Sequence, residues 1–370
     1  MEDHARFRLM CPGPINVSRR VSEAMISSEI GHRESEFSAL LKNIKKNCLS
    51  LMKLDPEEYS MVVITGSGSA ANEAVLCSAL QPQDHILSLV TGEFGRRLSE
   101  ISAIYNPNTE ALVQDWATPL DLANVEQKLK NGHFDWVTMV HHETSTGELQ
   151  PVKAVGALCR KYGVKLFVDA VSSFMVDPLD LADCNVTFMS TSSGKGIGMG
   201  PGLSLVVGRI SEFEKLSTYP VRNYYLSLAR HYSFFINKLQ TPNTPGITLF
   251  IALNEALNII AEEGVENRLR FQAQKARYFR DGLKSLGFAL LQPDHVLSNA
   301  VSSVILPASM SFATLRDRLR ERGFIVYGGK GPLADKIFQV STMGAVNCDD
   351  IQDLLDALAD ATQMNIHSVA

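Results

Sequence analysis

The chain has 370 residues, 45% of them hydrophobic and 20% charged, with a formal net charge of −5. That length carries a large core or two domains, and the composition excludes a disordered, fibrous or disulfide-stapled protein. A slightly acidic balance without a basic run argues against nucleic acid or an anionic membrane as a partner. No apolar stretch approaches the roughly 20 residues of a transmembrane helix. The opening MEDHARFRLMCPGP has charges where a secretion signal has an apolar centre. The six cysteines are scattered, with neither CxxC nor Cys/His spacing. They read as free thiols of a cytoplasmic protein without a metal site.

In chain order, the short apolar runs Met61–Thr65, His85–Val90, Trp136–Val140, Val164–Val168, Val186–Ser190 and Leu203–Val207 read as buried strands. Amphipathic stretches such as SAANEAVLCSAL and PVKAVGALCRKYG lie between most of them. This alternation implies an α/β fold with a mostly parallel, doubly wound sheet. From about Leu253 two long helical patterns, Leu253–Glu263 and Val265–Leu286, lead into AVSSVILP, SFATLRDRLRERG, FIVYGG, KIFQVS and CDDIQDLLDALADA. That texture predicts a smaller α+β domain made of residues 1–16 and 253–370, beside a large domain of residues 17–252.

Ligands of open α/β sheets sit at the carboxyl ends of the strands, so the residues after each strand are the informative ones. Thr65-Gly66-Ser67-Gly68-Ser69 follows MVVI and opens a helix, and its glycines, hydroxyls and free N–H groups suit a phosphate. A Ser-capped helix after a tight turn accounts for the same residues equally well. Asp169 ends an all-apolar strand, where a carboxylate is costly unless it meets a cation. Lys195 sits in a Ser/Gly-rich loop, SSGKGIGMGPG, that can bend closely around a ligand. Desolvated beside a cation or an electron-poor group, such a lysine becomes a nucleophile for carbonyl compounds. His141 and His142 open HHETSTG but lack a third ligand, and adjacent strand residues point to opposite faces. Pyridoxal phosphate uses a phosphate cradle, an amine for its aldehyde and a carboxylate for its ring nitrogen, and so employs these positions together. The spacing Gly66-x-Gly68-x-x-Ala71, with Glu93 further on, also fits a dinucleotide fingerprint, but that reading leaves Asp169 and Lys195 without work.

PGPINVS, GSGSAANEA, GEFGRR, HHETSTGELQP, KLFVDAVSSF, SSGKGIGMGPG and GFIVYGGK, in this order and nearly end to end, resemble the fold-type I, class V aminotransferases. Within them the branch of alanine–glyoxylate, serine–glyoxylate and 2-aminoethylphosphonate–pyruvate aminotransferases is the most similar. The resemblance implies a homodimer with its active site at the subunit interface. In it Lys195 would bind the cofactor aldehyde and shuttle the proton, and Asp169 would pair with the pyridinium. Val171 would pack on one ring face, and Phe94 falls where the family stacks an aromatic. Ser67, Gly68 and Ser69 would hold the phosphate, joined by Thr244 of the partner subunit, and Thr144 would contact the ring hydroxyl.

Two positions depart from that pattern. Gly194 stands where the family has Gln or Asn, and Gln339 in KIFQVSTMG stands where its arginine clamps the substrate carboxylate. Removing one partner of such a pair costs on the order of 2–5 kcal/mol. Gln339 itself and Arg33 are the candidate substrate contacts, with Lys330 and Lys336 as other cations able to replace the arginine. The expected function is pyridoxal-phosphate-dependent transfer of an amino group between a small amine or amino acid (2-aminoethylphosphonate-like, alanine or serine) and a 2-oxo acid. The alternative keeps the cofactor but performs elimination, decarboxylation or carbon–carbon bond formation, because of Gln339.

Overall fold

The computed structural model describes residues 7–26 and 30–362. Its centre is a seven-stranded sheet. The strands run in the order Tyr59–Thr65, Leu203–Arg209, Phe188–Ser192, Lys165–Asp169, Trp136–Val140, Ile86–Val90 and Thr109–Val113. Neighbours are parallel except around Leu203–Arg209, which is antiparallel to both of its partners. Alternate residues of each strand enter cores on opposite faces, as a period of two requires. Met61, Val63, Leu166 and Val168 meet the helices Ser35–Leu51, Val152–Tyr162 and Ile247–Glu263 on one side. Val62, Ile64, Phe167 and Phe188 meet Gly68–Ala79 and Glu93–Tyr105 on the other. Burial on both faces explains why these strands are continuous apolar runs.

The six expected strands are all present, Trp136–Val140 with the expected bounds and the other five with shifted ends. Val186–Ser190 lies two residues further on, at Phe188–Ser192, because Thr187 is spent as a lead-in whose N–H donates to Leu166 O at 2.8 Å. The seventh, Thr109–Val113, is an edge strand with Val113 68% exposed and Glu110 paired to Lys128. A strand half in water has no need of an apolar run.

A second core gathers Met10, Phe279, Leu283, Val304, Phe338 and Leu358 beneath a three-stranded antiparallel sheet ordered Val301–Ile305, Ile337–Ser341, Tyr327–Gly328. The helices Val265–Ser285, Phe312–Glu321 and Cys348–Thr362 belong to it. Arg8–Leu9 joins this unit by pairing in parallel with Phe324–Ile325. The expected boundary between residues 252 and 253 falls inside the unbroken helix Ile247–Glu263. That helix buries Phe250, Leu253, Leu257 and Ile260 in the core of the large sheet. Its apolar residues look alike on either side of the boundary, so the change of texture in the sequence precedes the change of core by about three turns. No helix among the described residues is long and apolar enough to cross a membrane.

Candidate active site

A cavity of about 350 Å³ opens at the carboxyl ends of the central strands. Ser67, Gly68, Ser69, Phe94, Thr144, Asp169, Val171 and Lys195 all line it. The topology brings them there. Asp169 is the last residue of its strand, and Ser67 stands at the N-terminal end of the helix Gly68–Ala79 that follows Tyr59–Thr65. Lys195 lies in the return loop between two antiparallel neighbours.

That loop is clamped at its base. Ser193 N–H donates to Leu203 O at 2.9 Å, and Leu203 N–H donates back to the Ser193 hydroxyl at 3.2 Å. Gly198 N–H closes a turn onto Lys195 O, and Arg268 of the second domain's first helix donates to Gly196 O at 3.0 Å. Gly194 has a packing reason. A Cβ there would lie 3.0 Å from Pro201 Cα, so the Gln or Asn expected at this position requires the loop to move. Lys195 Nζ donates to Pro12 O in the loop Cys11–Pro14, with its reach otherwise into the cavity.

Burial and the nearby Lys330 and Arg97 push the Lys195 ammonium down to about 8, with Cys11 and Asp169 opposing. Burial is the largest cause, because it disfavours the charged form. A neutral amine is the form that attacks an aldehyde. Covalent capture of pyridoxal phosphate by the cofactor-free protein, trapped with borohydride, should therefore rise as pH passes about 8 and then level. A profile still climbing near the ordinary lysine value of 10.5 would contradict this.

Asp169 is buried and its carboxyl is raised by desolvation. Two donors hold the ionised form. Val171 N–H reaches Oδ1 at 2.8 Å, and the Asn72 amide reaches Oδ2 at 2.6 Å. Asn72 is fixed in turn by the Ser190 hydroxyl donating to its Oδ1. The sequence reading did not single out Asn72. Its signal was a polar residue on the buried face of an otherwise small and apolar helix, SAANEAV.

At the cradle, the Ser67 hydroxyl does not cap its own helix, and no acidic residue occupies the first turn. The side chains of Ser67 and Ser69 therefore remain available, beside N–H groups that no intrahelical carbonyl can satisfy. A Cβ on Gly68 would sit 2.7 Å from a Val171 methyl, so glycine lets the helix start against the residue expected on the ring face.

Phe94 opens the helix Glu93–Tyr105, whose first N–H groups are received by a buried carboxylate. Glu143 Oε2 accepts from Phe94 N at 3.1 Å and from Gly95 N at 2.9 Å. Negative charge at a helix N-terminus is stabilising, so HHETSTG locates both Thr144 and Phe94. Burial pushes His141 down to about 4 and His142 to about 3, which leaves both imidazoles neutral. His141 Nδ1 meets the Ser173 hydroxyl at 2.9 Å, whereas Nε2 of His142, a cavity residue, is buried with no hydrogen-bond partner among the described residues.

Gln339 and Arg33 lie outside the cavity lining, and so does Thr244, the residue expected to act from the partner subunit, in its own chain. Gln339 is buried outside the cavity wall, with its amide nitrogen donating to Thr144 O at 2.6 Å and to the Ser303 hydroxyl at 2.9 Å. It braces the loop that carries Thr144. Arg33 donates to Gln240 Oε1 at 3.0 Å and Thr241 O at 2.8 Å. Thr244 is exposed in that same Thr241–Gly246 loop, which Gly246 N–H ties to the Thr65 hydroxyl at 3.2 Å.

The family model for aminotransferase class V matches residues 18–341. The chain belongs to the class V aminotransferases. It is 32% identical over 345 residues to an uncharacterized aminotransferase of Methanocaldococcus jannaschii, covering 92% of this chain and 89% of that one. It is also 32% identical over 362 residues to 2-aminoethylphosphonate–pyruvate transaminase of Salmonella schwarzengrund, covering 96% and 97%. The alanine–glyoxylate aminotransferase of a Nostoc species superposes with a TM-score of 0.92 at 30% identity, covering 96% of this chain and 95% of that structure. The fold is therefore the fold type I of pyridoxal-phosphate enzymes, as the sequence motifs implied. Such a cofactor fits the residues present in this class V aminotransferase. The cradle has unspent donors, the far wall has a buried carboxylate, and a depressed lysine amine stands between glycine-lined approaches.

Proposed function

We propose that this class V aminotransferase holds pyridoxal phosphate on Lys195 and moves an amino group from a small amine or amino acid, such as 2-aminoethylphosphonate, alanine or serine, to a 2-oxo acid. The observation that carries the proposal is the shared cavity of Lys195 and Asp169, with one group's charge lowered and the other's held by two donors. When bound, the cofactor supplies an aldehyde for the amino group and an electron-poor ring that acidifies the substrate Cα.

Ser67, Gly68 and Ser69 would hold the phosphate, and Asp169 would keep a proton on the ring nitrogen. Val171 and Phe94 cover the ring faces, which excludes water from the reacting atoms. Lys195 as a neutral amine would carry the proton to and from the substrate Cα. Thr144 sets the ring hydroxyl. A homodimer completes the site, with Thr244 of the partner subunit joining the phosphate. The exposed position of Thr244 and its tie through Gly246 to Thr65 support that arrangement. The transaminase names of the relatives disfavour the alternative of elimination, decarboxylation or carbon–carbon bond formation.

Label transfer tests the reading. The holoprotein is given a donor amine with isotopically labelled nitrogen together with pyruvate or glyoxylate. The label should appear in the new amino acid in equal amount to donor consumed. Its release as ammonia would overturn transamination.

A further inference from the structure

We propose that Arg97 and Lys330 form the receptor for the substrate's acidic group, in place of the residue at position 339, and that the group they select carries two negative charges. This rests on the amino-transfer reading above and names what that site recognises at its outer end. Gln339 cannot act as a clamp while its amide nitrogen is donated to Thr144 O and the Ser303 hydroxyl, and it lies outside the cavity wall. Arg33 is likewise occupied, by Gln240 and Thr241.

Two other cations meet at Phe94. The Arg97 guanidinium lies 4.5 Å from the centre of its ring and the Lys330 ammonium 4.8 Å. They arrive from different directions. Arg97 stands three residues beyond Phe94 on the helix that Glu143 caps. Lys330 comes from the second domain, where Phe324–Ile325 pairs with Arg8–Leu9 before Tyr327–Gly328 crosses to Ile337–Ser341. Neither side chain makes a hydrogen bond or an ion pair among the described residues, although surface arginines and lysines elsewhere in this chain commonly do. Both fields reach Lys195, and Arg97 also lines the cavity and reaches Asp169.

Two like charges held beside one ring, and facing a third, repel one another unless an anion joins them. Asp169 is not that anion, because in the amino-transfer reading it serves the ring nitrogen. A planar guanidinium and a compact ammonium together suit a tetrahedral, doubly charged oxyanion better than a single carboxylate, for which one fork alone suffices. The chemical class is thus a short amine bearing a phosphonate or phosphate.

The test uses the pyridoxal-phosphate-loaded protein. First, binding of ethylphosphonate and of propionate is measured by equilibrium dialysis, without turnover. Ethylphosphonate should bind at least about tenfold more tightly, and Lys330→Gln or Arg97→Gln should each remove about tenfold of that affinity. Lys330→Arg should restore most of it. Second, amino transfer from 2-aminoethylphosphonate and from propylamine is compared. Lys330→Gln should raise KM for the phosphonate about tenfold with a smaller change in kcat, and leave KM for propylamine in place.

Equal binding of the two anions, or KM values that move together for both amines, would overturn the pair. So would loss of bound cofactor in the Gln variants, because the cations would then serve the cofactor phosphate. If no amino transfer occurs but phosphonate binding still depends on Arg97 and Lys330, the receptor stands and the transaminase reading falls. If label is transferred and both Gln variants bind phosphonate normally, the reverse holds.

Discussion

Replacement of Lys195 by alanine should lower amino transfer by at least about a thousandfold, the upper range for losing a positioned proton carrier, and should abolish borohydride fixation of the cofactor altogether. The two losses have separate origins. In the proposed function the side chain is both the nucleophile for the aldehyde and the base at the substrate Cα. No neighbour can substitute. Arg97 offers a delocalised guanidinium and no amine, and Lys330 is exposed and packs against Phe94. The fold should be unharmed, because the truncation leaves Pro12 O facing a cavity that water can enter. A Lys195→Ala protein that keeps a reducible, covalently held cofactor would refute the assignment.

Asp169→Asn should be nearly as severe in activity and opposite in stability. Activity should fall by about 10² to 10³-fold, the range for deleting one preorganised electrostatic partner. A neutral amide cannot hold a proton on the ring nitrogen. It would also turn its NH2 toward the Asn72 amide, which now donates to Oδ2, so Asn72 must flip, its oxygen then accepting from the new amide and its NH2 donating to the Ser190 hydroxyl. In the cofactor-free protein, however, burial already raises the Asp169 carboxyl, so its ionised form opposes folding there. The folded-state value lies above the unfolded one, and the cost is present at pH above both. Thermal unfolding of the cofactor-free variant at neutral pH should therefore occur at the same temperature or higher, while turnover collapses. A drop in both would make Asp169 a structural residue.

The strands that build the cavity were legible because both of their faces are buried, so each had to be a short apolar run ending in a polar residue. Lys195 and Asp169 were legible for a related reason, since a charge at the end of such a run demands a use. Thr109–Val113 escaped because an edge strand may keep Glu110 in water. Asn72 and Glu143 escaped because their work is done through other residues. One steadies Asp169 and the other sets the angle at which Phe94 enters. No periodicity marks a residue whose partner is distant in sequence. Gln339 was found for its identity, but its occupation could not be read, because it depends on a carbonyl brought in by a different domain. Arg33 and Thr244 were grouped with the site by family likeness alone; within one chain Thr244 lies in the Thr241–Gly246 loop, and Arg33, from ahead of the helix Ser35–Leu51, donates to the start of that loop.

The closed base of the loop around Lys195 has a kinetic consequence. Its stems are laced to each other by Ser193 and Leu203, and its crown is held by Arg268 at Gly196. Swinging the amine from an aldehyde to a substrate carbon must therefore come from rotation about the four methylenes of the lysine, while the main chain stays still. Rotamer hops of that kind take picoseconds to nanoseconds, whereas loop opening takes far longer. In the proposed function, opening of this loop would therefore not be a step of the cycle, because its main chain is tied at both base and crown.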